Sequence, residues 1–199
     1  MKEKKLIGLT GKYCAGKNYV AKILEELGLP VIDVDVLGHK VIEIERDKIL
    51  ARFGRDILGK DGLIDRKLLG AKVFNSPEAL SALEGIVHPG ANRETMAWIE
   101  GRTEKACVIN AALLHRSTVF EKLDGIILVE AALLTRILRA RRRDRLPWTA
   151  IFKRIRKQIK FNSQYFRKKT DIYRVKNGGF FKLENRIDEI LSLLGIERG

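Results

Sequence analysis

Eight consecutive residues, Gly11-Lys12-Tyr13-Cys14-Ala15-Gly16-Lys17-Asn18, follow the spacing G-x-x-x-x-G-K, a pattern whose chemistry is the holding of phosphate. Glycines let successive backbone N–H groups curl around phosphate oxygens, and a helix beginning at the lysine adds its dipole and unpaired donors. Lys17 supplies a compact cation for β- and γ-phosphates. The next position normally carries Ser or Thr, whose hydroxyl ligates a Mg²⁺ ion bridging those phosphates; here it is Asn18. An amide oxygen also ligates Mg²⁺, but it projects further from the backbone, and Mg²⁺ tolerates little departure from octahedral geometry. Three alternatives stay open: the metal shifts, a water intervenes, or catalysis is reduced. Cys14 and Ala15 bring Cβ atoms into a turn where glycine and small residues are common.

A second group of chemical interest is Val31-Ile32-Asp33-Val34-Asp35. Residues two apart on a strand share a face, so Asp33 and Asp35 are expected to point together into the crevice at the carboxyl ends of a parallel sheet. A carboxylate there can accept a hydroxyl proton during phosphoryl transfer. The competing structural use is capping of the following helix by Asp35. His39 has no second His or Cys at ligand spacing and reads as a helix-surface residue.

These residues need a scaffold that presents loops at one sheet edge. Short apolar runs predict strands at Lys5–Leu9, Val31–Val34, Ala106–Asn110, Gly125–Val129 and Ile172–Val175. Helical periods predict helices at Lys17–Leu27, Leu37–Ala51, Pro77–Ile86, Gly90–Glu100, Leu133–Arg142, Thr149–Phe166 and Lys182–Leu194. The alternation argues for a parallel sheet flanked by helices. Between the second and third strands, from Asp35 to Lys105, lie more helical patterns than one crossover needs. This points to an inserted helical subdomain.

The chain of 199 residues carries 39 Lys+Arg against 25 Asp+Glu, a net +14, with 45% hydrophobic and 32% charged residues. This composition excludes a disordered or fibrous protein. No apolar run approaches the roughly 18 residues a membrane span needs, and the charged Met1–Lys5 followed by a short apolar run does not make a signal peptide. Cys14 and Cys107 have no metal-ligand spacing and read as reduced thiols of a cytoplasmic protein. Positive charge is concentrated between Arg136 and Lys169, which hold 14 Lys or Arg and one acid, Asp144: 14 − 1 = +13. Such a segment predicts an anionic partner. Phe152, Phe161, Tyr165 and Phe166, interleaved with these bases, would suit nucleic acid. Against that use, Ile151, Ile155, Ile159 and Phe166 fall at helical spacing, as a packed face does.

Taken in order, several segments resemble the dephospho-coenzyme A kinase family. Leu9-Thr10-Gly11 leads into the phosphate loop, and Val31–Asp35 is similar to the family's I-D-A-D. Phe53-Gly54, Gly62–Arg66 and Leu68–Phe74 follow, then His88-Pro89. Arg143-Asp144 and Arg154-Ile155-Arg156-Lys157-Gln158 are similar to the family's R-D and R-I-x-x-Q, and Asp171–Gly178 to its D-y-v-I-x-N-x-G. Beyond the loop, Ala112–Arg116 lacks the Pro and Glu of the family's P-L-L-f-E, and the basic residue that follows the family's His-Pro pair is displaced, with Asn92 near its place and Arg93 next. The resemblance covers nearly the whole chain and marks a diverged member.

The resemblance implies an α/β, P-loop kinase-like α/β/α sandwich with a parallel five-stranded sheet, a helical substrate-binding insertion and a basic lid. The implied layout is one domain, with a core near 1–35, 105–135 and 170–199, a substrate subdomain near 36–104, and the lid with its following helix near 136–169. The implied reaction transfers the γ-phosphoryl of ATP to the ribose 3′-hydroxyl of dephospho-coenzyme A, the last step of coenzyme A synthesis, with Mg²⁺. Asp35, Lys17 and Arg143 are then the catalytic groups. Gly11, Lys12, Tyr13, Cys14, Ala15, Gly16, Lys17, Asn18, Tyr19, Asn177 and Gly178 contact ATP, with Asn18 on the metal. Asp33, Asp35, His88, Arg93 and Arg154 contact the acceptor, and Thr10 a nucleotide phosphate. Nucleic-acid binding on a degenerate scaffold and another nucleotide kinase are the alternatives.

Overall fold

The computed structural model describes residues 4–156, 158, 170–178 and 183–196. The chain falls into two compact units, one formed by 1–32 with 102–199 and the other by 33–101.

The first unit is built on strands β1 (Lys5–Gly11), β2 (Val31–Asp33), β3 (Ala106–Asn110), β4 (Gly125–Glu130) and β5 (Asp171–Lys176), in the order β2-β3-β1-β4-β5. The sheet is parallel throughout, with Leu9 paired to Asn110 on one side and to Ile127 on the other. β1, β3 and β4 are buried along almost their whole length, which is why they read as unbroken apolar runs. Helices α1 (Lys17–Glu26) and α8 (Leu183–Leu193) cover one face. Val20, Ile23 and Leu24 from α1 and Ile187, Ile190 and Leu191 from α8 join Ile7, Leu9, Val108, Ile127 and Val175 in one core. On the opposite face, Gly8 lies against Leu114 and Leu123, and a Cβ there would stand 2.5 Å and 2.8 Å from their side chains. β1 is central: from it the chain crosses to β2, outside β3, and later passes from β3 to β4 on the other side of β1. Its carboxyl end is the switch point where open α/β sheets bind ligands.

The same unit carries α6 (Leu133–Asp144) and α7 (Trp148–Arg156). Arg145 ends α6 in a left-handed conformation, φ 52. The expected helix Thr149–Phe166 is described only as far as α7; its residues 157 and 159–166, and Lys182 of the last helix, lie outside the described residues, as do Arg167, Lys168 and Lys169.

The second unit is helical: α2 (Val34–Ile44), α3 (Arg46–Phe53), α4 (Arg66–Val73) and α5 (Pro77–Glu100). Three expectations are corrected here. β2 stops at Asp33 and α2 starts at Val34, because the Asp33 carboxylate accepts from the Val36 N–H and caps the helix. The expected helix Leu37–Ala51 is two, parted at the buried Glu45. Pro77–Ile86 and Gly90–Glu100 are one helix running through Pro89. Pro89 has no N–H to give the Gly85 carbonyl, while Gly90 packs so closely on Val41 that a Cβ would lie 2.5 Å away. Helix α4, unforeseen, is capped by Asp65, whose side chain accepts from the Lys67 and Leu68 N–H groups.

Candidate functional site

The phosphate loop leaves β1 at Gly11, where a Cβ would stand 2.8 Å from the Val129 carbonyl. The Ala15 N–H donates to the Lys12 carbonyl at 2.9 Å and closes a turn. Cys14 (φ 59) and Gly16 (φ 97) are both left-handed, the alternation that turns backbone N–H groups inward to form an anion nest. Gly16 then starts α1 without a side-chain cap, placing Lys17 and Asn18 in its first turn.

Glycine is required at position 16 for two reasons: the positive φ, and a Cβ that would lie 1.9 Å from Asn177 Nδ2. Gly16→Ala should cost about 2 kcal/mol and lower the thermal midpoint by roughly 5 °C. An unchanged melting curve would contradict this close approach.

Side chains from the basic segment and from the end of β5 brace the loop. Asn177 Nδ2 donates to the Ala15 carbonyl at 3.0 Å, and Arg139 Nη1 donates to the same oxygen at 3.1 Å. Arg139 Nη2 also donates to Asn177 Oδ1 at 3.3 Å. Arg136, 6% exposed, donates from Nε to the Tyr13 carbonyl at 2.8 Å. Asn18 is exposed, and its Oδ1 accepts from Nδ2 of the buried Asn110 at 3.5 Å. Gly178 adjoins Thr135, Tyr19 is exposed on α1, and Thr10 is fully buried in β1.

Arg143 donates from Nε and Nη2 to the two oxygens of Asp144, and Arg154 donates to Oδ2 at 3.1 Å. The Arg143 bond holds the Asp144 carboxyl below its usual range and raises Arg143. Burial pushes the Cys14 thiol up despite the nearby Arg143, so the loop carries no thiolate to repel phosphate at neutral pH. Burial, then the bond to Asp144, raises the Tyr13 hydroxyl as well.

In the helical unit, Asp35 is an exposed residue of the first turn of α2, so it does not share a strand face with Asp33. The cap belongs to Asp33. His88 is half-buried in α5. Arg93 bonds the buried Glu45, which also accepts from Lys48 at 2.5 Å. Lys48, and after it Arg93, hold that carboxyl below its ordinary value. His39 is exposed on α2.

Arg136, Arg139 and Asn110 went unassigned in the sequence. The sign that could have found the bracing cluster is Asp144, one acid in a run of 14 bases: an isolated carboxylate in such a field has partners on every side. Among the described residues, no group of three His, Cys, Asp or Glu is placed to hold a metal, and no helix is long and apolar enough to cross a membrane.

A family model, dephospho-CoA kinase, matches residues 5–179. Among curated relatives, dephospho-CoA kinase from Treponema denticola is 34% identical, covering 86% of this chain and 82% of that protein. The Treponema pallidum enzyme is 30% identical, covering 96% of each. Among solved structures, a Thermus thermophilus protein superposes with a TM-score of 0.80 at 30% identity over 98% of both chains. Dephospho-CoA kinase from Campylobacter jejuni, at 24% identity and TM-score 0.67, covers 95% of this chain and 96% of its own; with shikimate kinase from Bacteroides thetaiotaomicron, at 13% and 0.51, it shares the fold. With the phosphate loop in its strand-loop-helix setting and the family match running from β1 to beyond Asn177, the chain belongs to the dephospho-CoA kinase family.

Proposed function

We propose that this chain is an ATP-dependent phosphotransferase that moves the γ-phosphoryl group of ATP to the ribose 3′-hydroxyl of dephospho-coenzyme A. The observation that carries the reading is the loop itself, a left-handed Cys14 and Gly16 opening a helix at Lys17, in a chain of this family. The loop amides and Lys17 hold the phosphates, and Arg143 and Arg154 bring guanidinium groups to the charge that develops in transfer. Asp35 orients the acceptor hydroxyl and takes its proton, while Asp33 shapes the start of α2 that carries it. His88 and Arg93 serve the acceptor side, and Asn177 and Gly178 the nucleotide side.

The residue chemistry fits Mg²⁺. Asn18 offers a neutral, hard oxygen from an exposed side chain, and Mg²⁺ takes its remaining ligands from phosphate and water. Bound there, the ion would neutralise charge on bridging phosphate oxygens. A hydroxyl held closer to the backbone should hold it better: Asn18→Ser or Asn18→Thr is expected to lower the Mg²⁺ concentration for half-maximal rate by about threefold or more. A Mg²⁺ titration of initial rates checks this, and an unchanged or raised requirement would count against a weak amide ligand.

The basic segment supports the same reading. Arg136 is buried and Arg139 half-buried against the phosphate loop, and Arg143 and Arg154, though exposed, are paired with Asp144 beside that loop. The deciding experiment is a coupled assay with ATP, Mg²⁺ and dephospho-coenzyme A. Formation of coenzyme A and ADP in equal amounts is expected. No turnover with this acceptor, alongside salt-sensitive binding of nucleic acid, would favour the alternative.

A further inference from the structure

Phosphate binding by backbone amides does not require an aromatic side chain at position 13, yet Tyr13 is engaged through its backbone, its ring and its hydroxyl. Its N–H donates to Gln158 Oε1 at 2.7 Å. Its carbonyl accepts from Arg136 Nε at 2.8 Å, and Arg136 Nη2 reaches the same Gln158 oxygen at 3.5 Å. Its hydroxyl donates to Asp144 Oδ2 and accepts from Arg154 Nη1 at 3.3 Å. Its ring lies beneath two guanidinium groups, Arg143 at 5.4 Å and Arg154 at 5.5 Å from the centroid. Backbone, ring and hydroxyl are thus all held by residues 136–158.

The arrangement answers an electrostatic problem. Two guanidinium groups brought together above one loop repel each other. Asp144 lies between them, taking two donors from Arg143 and one from Arg154, and the ring supplies its negative face to both. Each guanidinium has five N–H donors. Arg143 directs Nε and Nη2 to Asp144, and Arg154 directs Nη1 to Tyr13 and Asp144, so each keeps an edge that can face phosphate oxygens. Without the ring and its hydroxyl both charges would remain, but their orientation would have to be set anew with every nucleotide bound.

We propose that Tyr13 is a positioning residue: it docks the basic segment onto the phosphate loop before nucleotide arrives and aims Arg143 and Arg154 at the terminal phosphates. This rests on the phosphotransferase reading. Attraction between a basic segment and a triphosphate survives loss of orientation, whereas transition-state stabilisation does not. The signature is therefore a split between kcat and affinity.

The test compares Tyr13→Leu and Tyr13→Phe in the full chain. Tyr13→Leu should lower kcat by roughly tenfold or more while the ATP dissociation constant changes less than about threefold. Tyr13→Phe keeps the ring face and should recover most of that loss. In parallel, limited trypsin digestion without nucleotide should cut between Arg141 and Arg156 several-fold faster in Tyr13→Leu than in the parent. If Tyr13→Leu does not fold, Asp144→Asn, which removes the shared carboxylate, should give the same split and the same faster cutting. Unchanged kcat and unchanged digestion would overturn the proposal. So would a fall in kcat that Phe does not relieve and that leaves digestion unaltered, since that pattern reports a distorted loop. The digestion requires no turnover, so faster cutting with a parent chain inactive on dephospho-coenzyme A would fault the assigned reaction and leave the docking role standing.

Discussion

Lys17→Ala should lower kcat by roughly three orders of magnitude. Lys17 is the first residue of α1, and a compact ammonium at that position meets charge that grows on the phosphates as transfer proceeds. A loss of that size corresponds to about 4 kcal/mol of transition-state stabilisation. The fold should not follow it down, because the lysine is only half-buried, belongs to no core cluster, and is replaced by the best helix former. Coenzyme A formation measured beside a thermal melt separates the two effects. A variant that melts with the parent but has lost turnover supports the role; full activity would show that the ammonium does not act on the reacting phosphates.

The second large effect is expected at Asp35→Asn. Removing a positioned general base lowers rates by about 10²- to 10⁴-fold, and an amide of the same shape cannot take the hydroxyl proton. Asp35 is exposed in the first turn of α2, so losing its charge costs the helix at most about 1 kcal/mol through the dipole. The loss should appear in kcat, with the KM for dephospho-coenzyme A shifted less than about threefold. Asp33 makes the internal control. Asp33→Asn keeps an effective cap and should retain most activity, whereas Asp33→Ala removes the bond to the Val36 N–H and should cost about 1 kcal/mol of stability. If Asp33→Asn were the dead variant and Asp35→Asn the active one, the roles would be exchanged.

The contrast between these two acids shows what the sequence makes legible. The alternation Val31-Ile32-Asp33-Val34-Asp35 reads as strand to its end, and by periodicity alone nothing separates the third residue from the fifth. The boundary is set by one bond, from the Val36 N–H to Asp33 Oδ1, a choice between ladder and cap that depends on where the sheet ends. Strands β1, β3 and β4 were readable because burial on both faces demands apolar residues at every position. The phosphate loop was readable because its conformations demand glycines at fixed spacing.

Two features were hidden. Pro89 looks like a helix end, yet α5 runs through it from Pro77 to Glu100. Arg136 and Arg139 looked like two more charges in a basic run. Their bonds to the Tyr13 and Ala15 carbonyls cross more than 120 positions of chain, and no local pattern encodes a partner that remote.

The contact between Asn177 and the loop also has a bearing on how the protein comes into being. Ala15 leaves the ribosome early, but the side chain that fixes its carbonyl arrives 162 residues later, at the end of the β4–β5 pairing where the Asn177 N–H meets the Glu130 carbonyl. Contacts of such separation form late, because the intervening chain must be closed before they are rewarded. A nascent chain that has made only β1 and α1 possesses the phosphate-binding sequence without its finished shape. A chain released before residue 177 is therefore expected to bind ATP more weakly than the full chain.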